Sequence, residues 1–274
     1  MDTVSCLLPR LDVDIATHGP DGLDAVVRME LPEVRGVRYV VSWQIPDEYV
    51  FDQFPEELMR PDLVVCRVDC RGVTGNRNNA LAHSVAPVVL IADNDLKYTS
   101  RNLEAVMEVF DSNPGVELAV FRYDGDPRPF PEGEMDIGRK MPKGFHVASM
   151  QMAFRREAVE RAGLRFDERF GPGAERLKGC DDDVFFLAAR KAGLTIRYFP
   201  VTVTAHPGPS SGYLPITSTG FLEGMGAYHR LEWPVTSPLR IMLKAWRMHR
   251  SGQSPLFRSL RYLWRGYFHL PGSR

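Results

Sequence analysis

Val88-Val89-Leu90-Ile91-Ala92-Asp93-Asn94-Asp95 is the stretch on which the reading of this chain turns. From Val88 to Asn94 it reads as a buried strand, apolar and partly β-branched, that runs straight into acid. Carboxylates at i and i+2 project to one side of an extended chain, so Asp93 and Asp95 would stand together at an exposed strand end. Oxygen donors paired in this way suit a hard divalent cation, Mg2+ or Mn2+, that keeps positions open for phosphates. Taken alone the residues admit a second reading, a polar turn capping the helix that starts near Thr99 or Ser100.

Working outward, strands alternate with helices on both sides of this stretch, the pattern of an α/β domain with a largely parallel sheet. Strands are expected at Val13 to Ala16, Val37 to Trp43, Leu63 to Val68, Val116 to Tyr123, Met150 to Phe154 and Thr195 to Thr204. Helices are expected at Gly22 to Leu31, from Asn78 to His83, and at Asn102 to Phe110, Arg156 to Ala162 and Val184 to Lys191. Asp124 to Gly144, rich in Pro, Gly and charge, reads as a long surface loop of a kind that is uncommon unless functional. Ligands of such folds bind at the carboxyl ends of the strands. That rim would collect Thr17, His18, Gln44, the acidic triplet and His206.

Composition bounds the class. The chain has 274 residues, 44% of them hydrophobic and 25% charged, which excludes a disordered or fibrous protein. Its net charge is -1, yet residues 235–274 carry eight Lys/Arg and no Asp/Glu, so the rest stands at -9. Cys6, Cys66, Cys70 and Cys180 form no CxxC pair and have no zinc spacing, as expected of reduced thiols in a cytosolic protein. The first residues lack the pattern of a signal peptide, and no run approaches the length of a membrane span.

Two further clusters stand out. Gly72-Val73-Thr74-Gly75-Asn76-Arg77-Asn78-Asn79-Ala80 reads as a glycine loop feeding a helix. Its backbone could approach a phosphate and Arg77 could neutralise one; an ordinary helix cap at Asn76 or Asn78 is the alternative. Gly179-Cys180-Asp181-Asp182-Asp183-Val184 places three acids at a helix start. Such acids ordinarily complement the helix dipole, but three adjacent carboxylates repel, a cost explained if one acts as a base or meets a metal.

In this order the pieces resemble the family 2 glycosyltransferases of the GT-A fold, a Rossmann-like nucleotide-diphospho-sugar transferase fold with a mostly parallel central sheet flanked by helices. The resemblance runs from Gly72 to Pro200. It is carried by Gly75-Asn76-Arg77-Asn78, Ile91-Ala92-Asp93-Asn94-Asp95, Phe166-Asp167-Glu168-Arg169-Phe170-Gly171 and Asp181-Asp182. In that family a glycine follows the second member of the acidic pair by eleven residues, and Asp182 is followed at that distance by Gly193. The resemblance implies inverting transfer of a sugar from a nucleotide-diphosphate donor, a UDP-sugar first, to an acceptor hydroxyl. It implies Asp182 as the base with Asp181 as fallback, and a metal, Mn2+ or Mg2+, at Asp95 with Asp93 and His206. Thr17, His18, Gln44, Gly75, Arg77, Asn78, Asp93 and Asn94 would then border the nucleotide, and Gln151 and Gly173 the acceptor and donor sugar.

The chain departs from the family at its start. Ala16-Thr17-His18-Gly19 and Ser42-Trp43-Gln44-Ile45 replace the usual Pro-x-Tyr-Asn and Asp-Asp-Gly-Ser strand ends, in the region where the nucleotide is read. The expected organisation is a catalytic domain over residues 1–215 and a basic, amphipathic helical extension over 216–274. In that extension Arg240, Lys244, Arg247, Arg250, Arg258, Arg261 and Arg265 recur among Trp and Phe. It suits either an anionic membrane surface or packing against the catalytic domain. A saccharide or lipid-linked acceptor at the cytoplasmic face of a membrane, in bacterial surface polysaccharide or glycolipid synthesis, fits both the tail and the lack of a span. Nucleic acid is not an expected partner. A nucleotidyltransferase of similar fold, and a non-catalytic nucleotide or sugar binder, are the competing classes.

Overall fold

The computed structural model describes residues 8–50, 53–125, 130–138, 145–206 and 215–270. Among these, eight strands form one sheet: β1 (Leu11–His18), β2 (Val37–Gln44), β3 (Leu63–Val68), β4 (Val88–Asp93), β5 (Leu118–Asp124), β6 (Met135–Ile137), β7 (Met152–Arg155) and β8 (Ile196–Ala205). Their order is β3-β2-β1-β4-β7-β5-β8-β6. Neighbours run parallel at β2/β3, β1/β2, β1/β4 and β5/β8. Only β7, which lies between β4 and β5, and the edge strand β6 run against the rest. This is the mixed, mostly parallel sheet of a GT-A fold, with helices α1 (Gly22–Val27), α2 (Val73–His83), α3 (Ser100–Ser112), α4 (Arg156–Arg161) and α5 (Asp181–Ala192) along the same stretch of chain.

The strands expected from the sequence are all present, with three differences elsewhere. Inside the stretch read as one long loop, Met135–Ile137 pairs with β8, whereas residues 126–129 and 139–144 lie outside the described residues. The first helix stops at Val27 rather than reaching Leu31, because Glu30 takes a left-handed backbone, φ 54°, that a helix cannot contain. The glycine-rich stretch after Gly72 is helix from Val73 onward, so Gly75 sits in the first turn of α2 and not in a phosphate loop.

Two compact units divide the chain. The first holds residues 1–70, 76–165 and 188–210, and the second holds 71–75, 166–187 and 211–274. The expected extension from residue 216 therefore falls wholly in the second unit, together with two segments from earlier in the sequence.

The first unit is organised by β1. Seven of its eight residues are buried, as a strand covered on both faces requires. Alternate residues serve different ends. Val13 and Ile15 join a core with Tyr39, Trp43, Leu103, Phe110, Phe121 and Phe199. α3 supplies Leu103, Val106, Met107 and Phe110 at helical spacing, and a reciprocal Thr99–Asn102 capping box starts it. On the other alternation Asp12 and Asp14 are buried acids. Arg38 donates to both oxygens of Asp12 at 2.8 Å, and the amides of Val85 and Ala86 donate to its Oδ2 at 2.6 and 2.8 Å. That carboxylate fixes the link between α2 and β4.

Asp14 has no cation of its own. Its oxygens lie 2.8 and 2.9 Å from Ser84 Oγ, which also approaches the Ala80 carbonyl at 3.2 Å. Burial, with Asp12 adding to it, lifts the Asp14 carboxyl from the ordinary 3.8 to about 8. The Ser84 hydroxyl donates to this carboxyl and opposes the rise.

The second unit contains α6 (Thr219–Glu232), α7 (Ser237–Arg250) and α8 (Leu256–His269). α6 was not expected as a helix distinct from the basic tail. α6 and α8 touch through glycine: a Cβ on Gly226 would lie 1.9 Å from Leu263 O, and one on Gly266 would lie 1.8 Å from Glu223 O. Glu223, buried beneath this contact, pairs with Arg176 at 3.0 Å and Arg265 at 3.4 Å. Arg230 donates to the carbonyls of Tyr267 and Leu270, satisfying the C-terminal end of α8.

Two predictions follow from this packing. Because the native Asp14 carboxyl binds its proton far above the unfolded value, the stability it contributes is complete below about pH 4 and is lost as pH rises toward 8. Asp14→Asn should therefore melt progressively higher relative to the parent between pH 5 and pH 8, as read by thermal denaturation; a constant difference would mean an ionised Asp14 in the fold. Gly226→Ala should cost about 1–3 kcal/mol or more, since the atoms its Cβ would meet, O, C and Cα of Leu263, are all backbone. Denaturant melts of this variant beside an exposed-site alanine control would show it.

Candidate functional site

Strand register places the polar strand ends on one rim. Thr17 and His18 lie beside Trp43 and Gln44, and Ala16 lies beside Asp93. β8 ends level with them, since Lys97 and Ala205 exchange backbone hydrogen bonds, and this brings His206 to the acidic triplet. His206 Nε2 is 3.4 Å from Asp95 Oδ2. Burial and the neighbouring Asp93 raise the Asp95 carboxyl above the usual range, with His206 opposing. Asp93 is joined to Arg77 at 2.9 Å, and Arg77 also donates to Ser149 Oγ at 2.7 Å.

α2 lies on this rim and is polar where a packed helix is usually apolar. Asn76, Arg77 and Asn78 are all buried. Asn76 Nδ2 donates to Thr17 O at 2.7 Å, and Asn79 Nδ2 donates to Ser42 Oγ at 2.8 Å. Asn76 Oδ1 is buried and has no hydrogen-bond partner among the described residues. Such an orphaned acceptor is costly unless a ligand meets it.

Several residues expected to touch ligand also brace the fold. Thr17 is 1% exposed; its hydroxyl donates to Gly22 O and accepts from Asn94 Nδ2, so Thr17 and Asn94 tie the ends of β1 and β4 together. Gln151 is also 1% exposed, with its amide on Phe121 O and its carbonyl accepting from Ala148 N, and it positions the entry to β7. His18 is exposed and Gln44 half-buried at the strand ends. The rim thus brings together Asp93, Asp95, His206, Arg77, Asn78, His18 and Gln44. Asn76 and Ser149 were missed as site residues. Asn76 lay inside a quoted motif, but only helical rather than loop geometry turns it toward β1; Ser149 carries no sequence signal.

Gly75, Gly173, Asp181 and Asp182 belong to the second unit. Gly173, φ 84°, stands where a Cβ would be 2.6 Å from the Cα of Gly72, so it permits two backbones to cross. Gly171, φ 98°, is pressed against Asp181 in the same way. Asp181 is buried there, whereas Asp182 and Asp183 are half-buried in the first turn of α5. Cys180, immediately before them, has φ 65°, a strained value for a residue with a side chain. Burial, then the three carboxylates, push its thiol well up. Phe166 stacks on Phe185 at 4.3 Å between ring centres and fixes the helix behind the acids.

Among the described residues no three His, Cys, Asp or Glu side chains form a metal-binding group. Asp95 with His206 is a two-donor pair of the kind that a hard cation completes with substrate oxygens and water. Cys66, Cys70 and Cys180 are in no disulfide among the described residues, and Cys6 lies outside them. No helix of the described residues is long and apolar enough to cross a membrane.

No curated protein matches the chain in sequence. Among solved structures, S. aureus TarS 1-349 in complex with UDP-GlcNAc superposes with TM-score 0.59 at 13% identity, over 93% of this chain and 91% of that one. TarS 1-349 with UDP gives 0.56 at 16%, over 81% and 65%. A further TarS structure gives 0.56 at 15%, over 86% of this chain, which spans only 42% of the length of that one. The family model described as glycosyl transferase family 2 matches residues 47–163, a region that contains α2, the whole of β4 and the acidic triplet. Over that region, which is less than half of its length, the chain is similar in sequence to glycosyl transferase family 2, and over most of its length it shares the fold of these TarS structures.

Proposed function

We propose that the protein transfers a sugar from a nucleotide-diphosphate donor to an acceptor hydroxyl with inversion, using Mn2+ or Mg2+. The observation that carries this reading is the rim itself: the Asp95 carboxylate against the His206 imidazole, with Asp93 on a buried Arg77 and the orphaned Asn76 oxygen on the same rim. TarS structures hold UDP and UDP-GlcNAc, and a UDP-sugar is the donor we assign here.

The cation would sit at Asp95 with His206 and Asp93, where it would neutralise the diphosphate as it departs. Asp93 is held in place by Arg77, so its second oxygen keeps a constant aim. Asn76 Oδ1, Asn78, His18 and Gln44 border the space for the nucleotide. His18 and Gln44 replace the family's acidic and aromatic strand ends, and they are the positions expected to set base preference. The base is Asp182, with Asp181 the fallback, on the strength of the acidic pair and its distance to Gly193. Asp182 is the more accessible of the two, and Asp181 is occupied against Gly171. Asp182 takes the proton of the acceptor hydroxyl as its oxygen bonds to the anomeric carbon and the nucleoside diphosphate leaves from the opposite face. The acceptor we assign is a saccharide or a lipid-linked saccharide at an anionic membrane surface, in the assembly of a bacterial surface polysaccharide or glycolipid.

Two experiments test the assignment. In a thermal-shift panel, one nucleoside diphosphate should raise the melting temperature only when Mn2+ is present, and Asp95→Ala should abolish the rise; no shift with any nucleotide would remove the donor site. Asp182→Asn should keep that shift while lowering kcat by about 10²–10⁴-fold, the usual contribution of a positioned base. Full turnover in Asp182→Asn with loss in Asp181→Asn would reassign the base.

A further inference from the structure

α7 has two apolar faces. Ile241, Ala245 and Met248 are buried against Leu222, Met225 and Leu263 of its neighbours. The second face is turned outward: Leu239, Met242, Leu243 and Trp246, at i, i+3, i+4 and i+7, are 61, 56, 42 and 47% exposed. Val235, one turn earlier, is 90% exposed. A single exposed leucine needs no explanation, but a line of four large apolar side chains on a helix already packed on its other side marks an interaction surface.

Its margins identify the partner. Arg240, Arg247 and Arg250 flank the stripe, and none of them pairs with a carboxylate among the described residues. Arg240 instead lies over Trp233 at 4.1 Å and Arg250 over Trp246 at 5.1 Å. α8 adds exposed Arg258 and Arg261 beside Phe257, and residues 235–274 contain no acid at all. The positive field is felt inside: burial, then Lys244 and Arg240, hold His229 down at about 4. A second copy of this chain would set arginine against arginine across a two-fold axis. A phosphate backbone would meet the arginines but leave the apolar line in water.

We infer that the Leu239–Trp246 stripe of α7 enters the interfacial layer of an anionic bilayer while Arg240, Arg247 and Arg250 hold lipid headgroups at its edges. This chemistry combines apolar insertion with charge attraction. The inference takes its biological setting from the reading of a membrane-linked acceptor, and its physical content stands apart from the transfer reaction.

The test uses the full chain with phosphatidylcholine vesicles, with and without about one third phosphatidylglycerol. The protein should sediment with the anionic vesicles only, and about 0.5 M salt should reduce binding as screening predicts. Anionic vesicles should also shift tryptophan emission to the blue, and Trp246→Phe should remove that shift. Leu239→Gln combined with Leu243→Gln should weaken vesicle binding at least about tenfold, the worth of roughly 1.4 kcal/mol, while the nucleotide thermal shift persists. Unchanged sedimentation of that double variant overturns the inference. So does a parent that ignores vesicles but is a dimer by ultracentrifugation and becomes a monomer in the double variant. Vesicle binding without any nucleotide shift would sink the transferase reading alone.

Discussion

The first unit hangs on the decision to bury a polar helix. From Asn76 to Ser84, α2 and the residue after it meet the sheet through hydrogen bonds rather than an apolar stripe: Asn76 to β1, Arg77 to the end of β4, Asn79 to β2, and Ser84 to the acid in the middle of β1. Each bond contributes about 1 kcal/mol net, but an unmade one in this setting costs more than a made one gains. The helix is therefore held to one register on the sheet. An apolar helix could slide by a fraction of a turn at little cost; this one would leave several buried groups orphaned at once.

That rigidity explains how the rim is built from pieces distant in sequence. The acidic triplet is positioned from below by β4, from the side by Arg77, and from across by Lys97 and His206 at the close of β8. Thr17 and Asn94 close the remaining gap between β1 and β4. Residues that look like ligands in sequence thus act as braces, and the groups left for chemistry are the ones the braces cannot use.

Much of this was legible in advance, for reasons that can be named. Val88 to Asp95 announces both a buried strand and its acidic end, and helix signals at Thr99 and Asn113 bracket α3 as found. Alternation of strands and helices, with the order of the motifs, was enough for the fold. What failed was local. The polar stretch from Val73 to Arg77 looks like loop because amphipathicity is the usual mark of a helix, and α2 has almost none. Met135–Ile137 is too short to show a period. Thr17, Gln151 and Gly173 are types that serve ligands or backbone equally well, and only their hydrogen bonds and close approaches decide which.

The antiparallel β7 carries a consequence for how the sheet comes apart. It is four residues long and meets β4 at three positions and β5 at three, yet among the described residues it is the strand that joins β3-β2-β1-β4 to β5-β8-β6. The two halves have their own parallel pairings and differ in when they emerge from the ribosome. The sheet therefore has a seam. Amides along β7 should exchange with solvent through an opening smaller than global unfolding, one that leaves the core shared by Ile15, Tyr39, Phe121 and Phe199 packed.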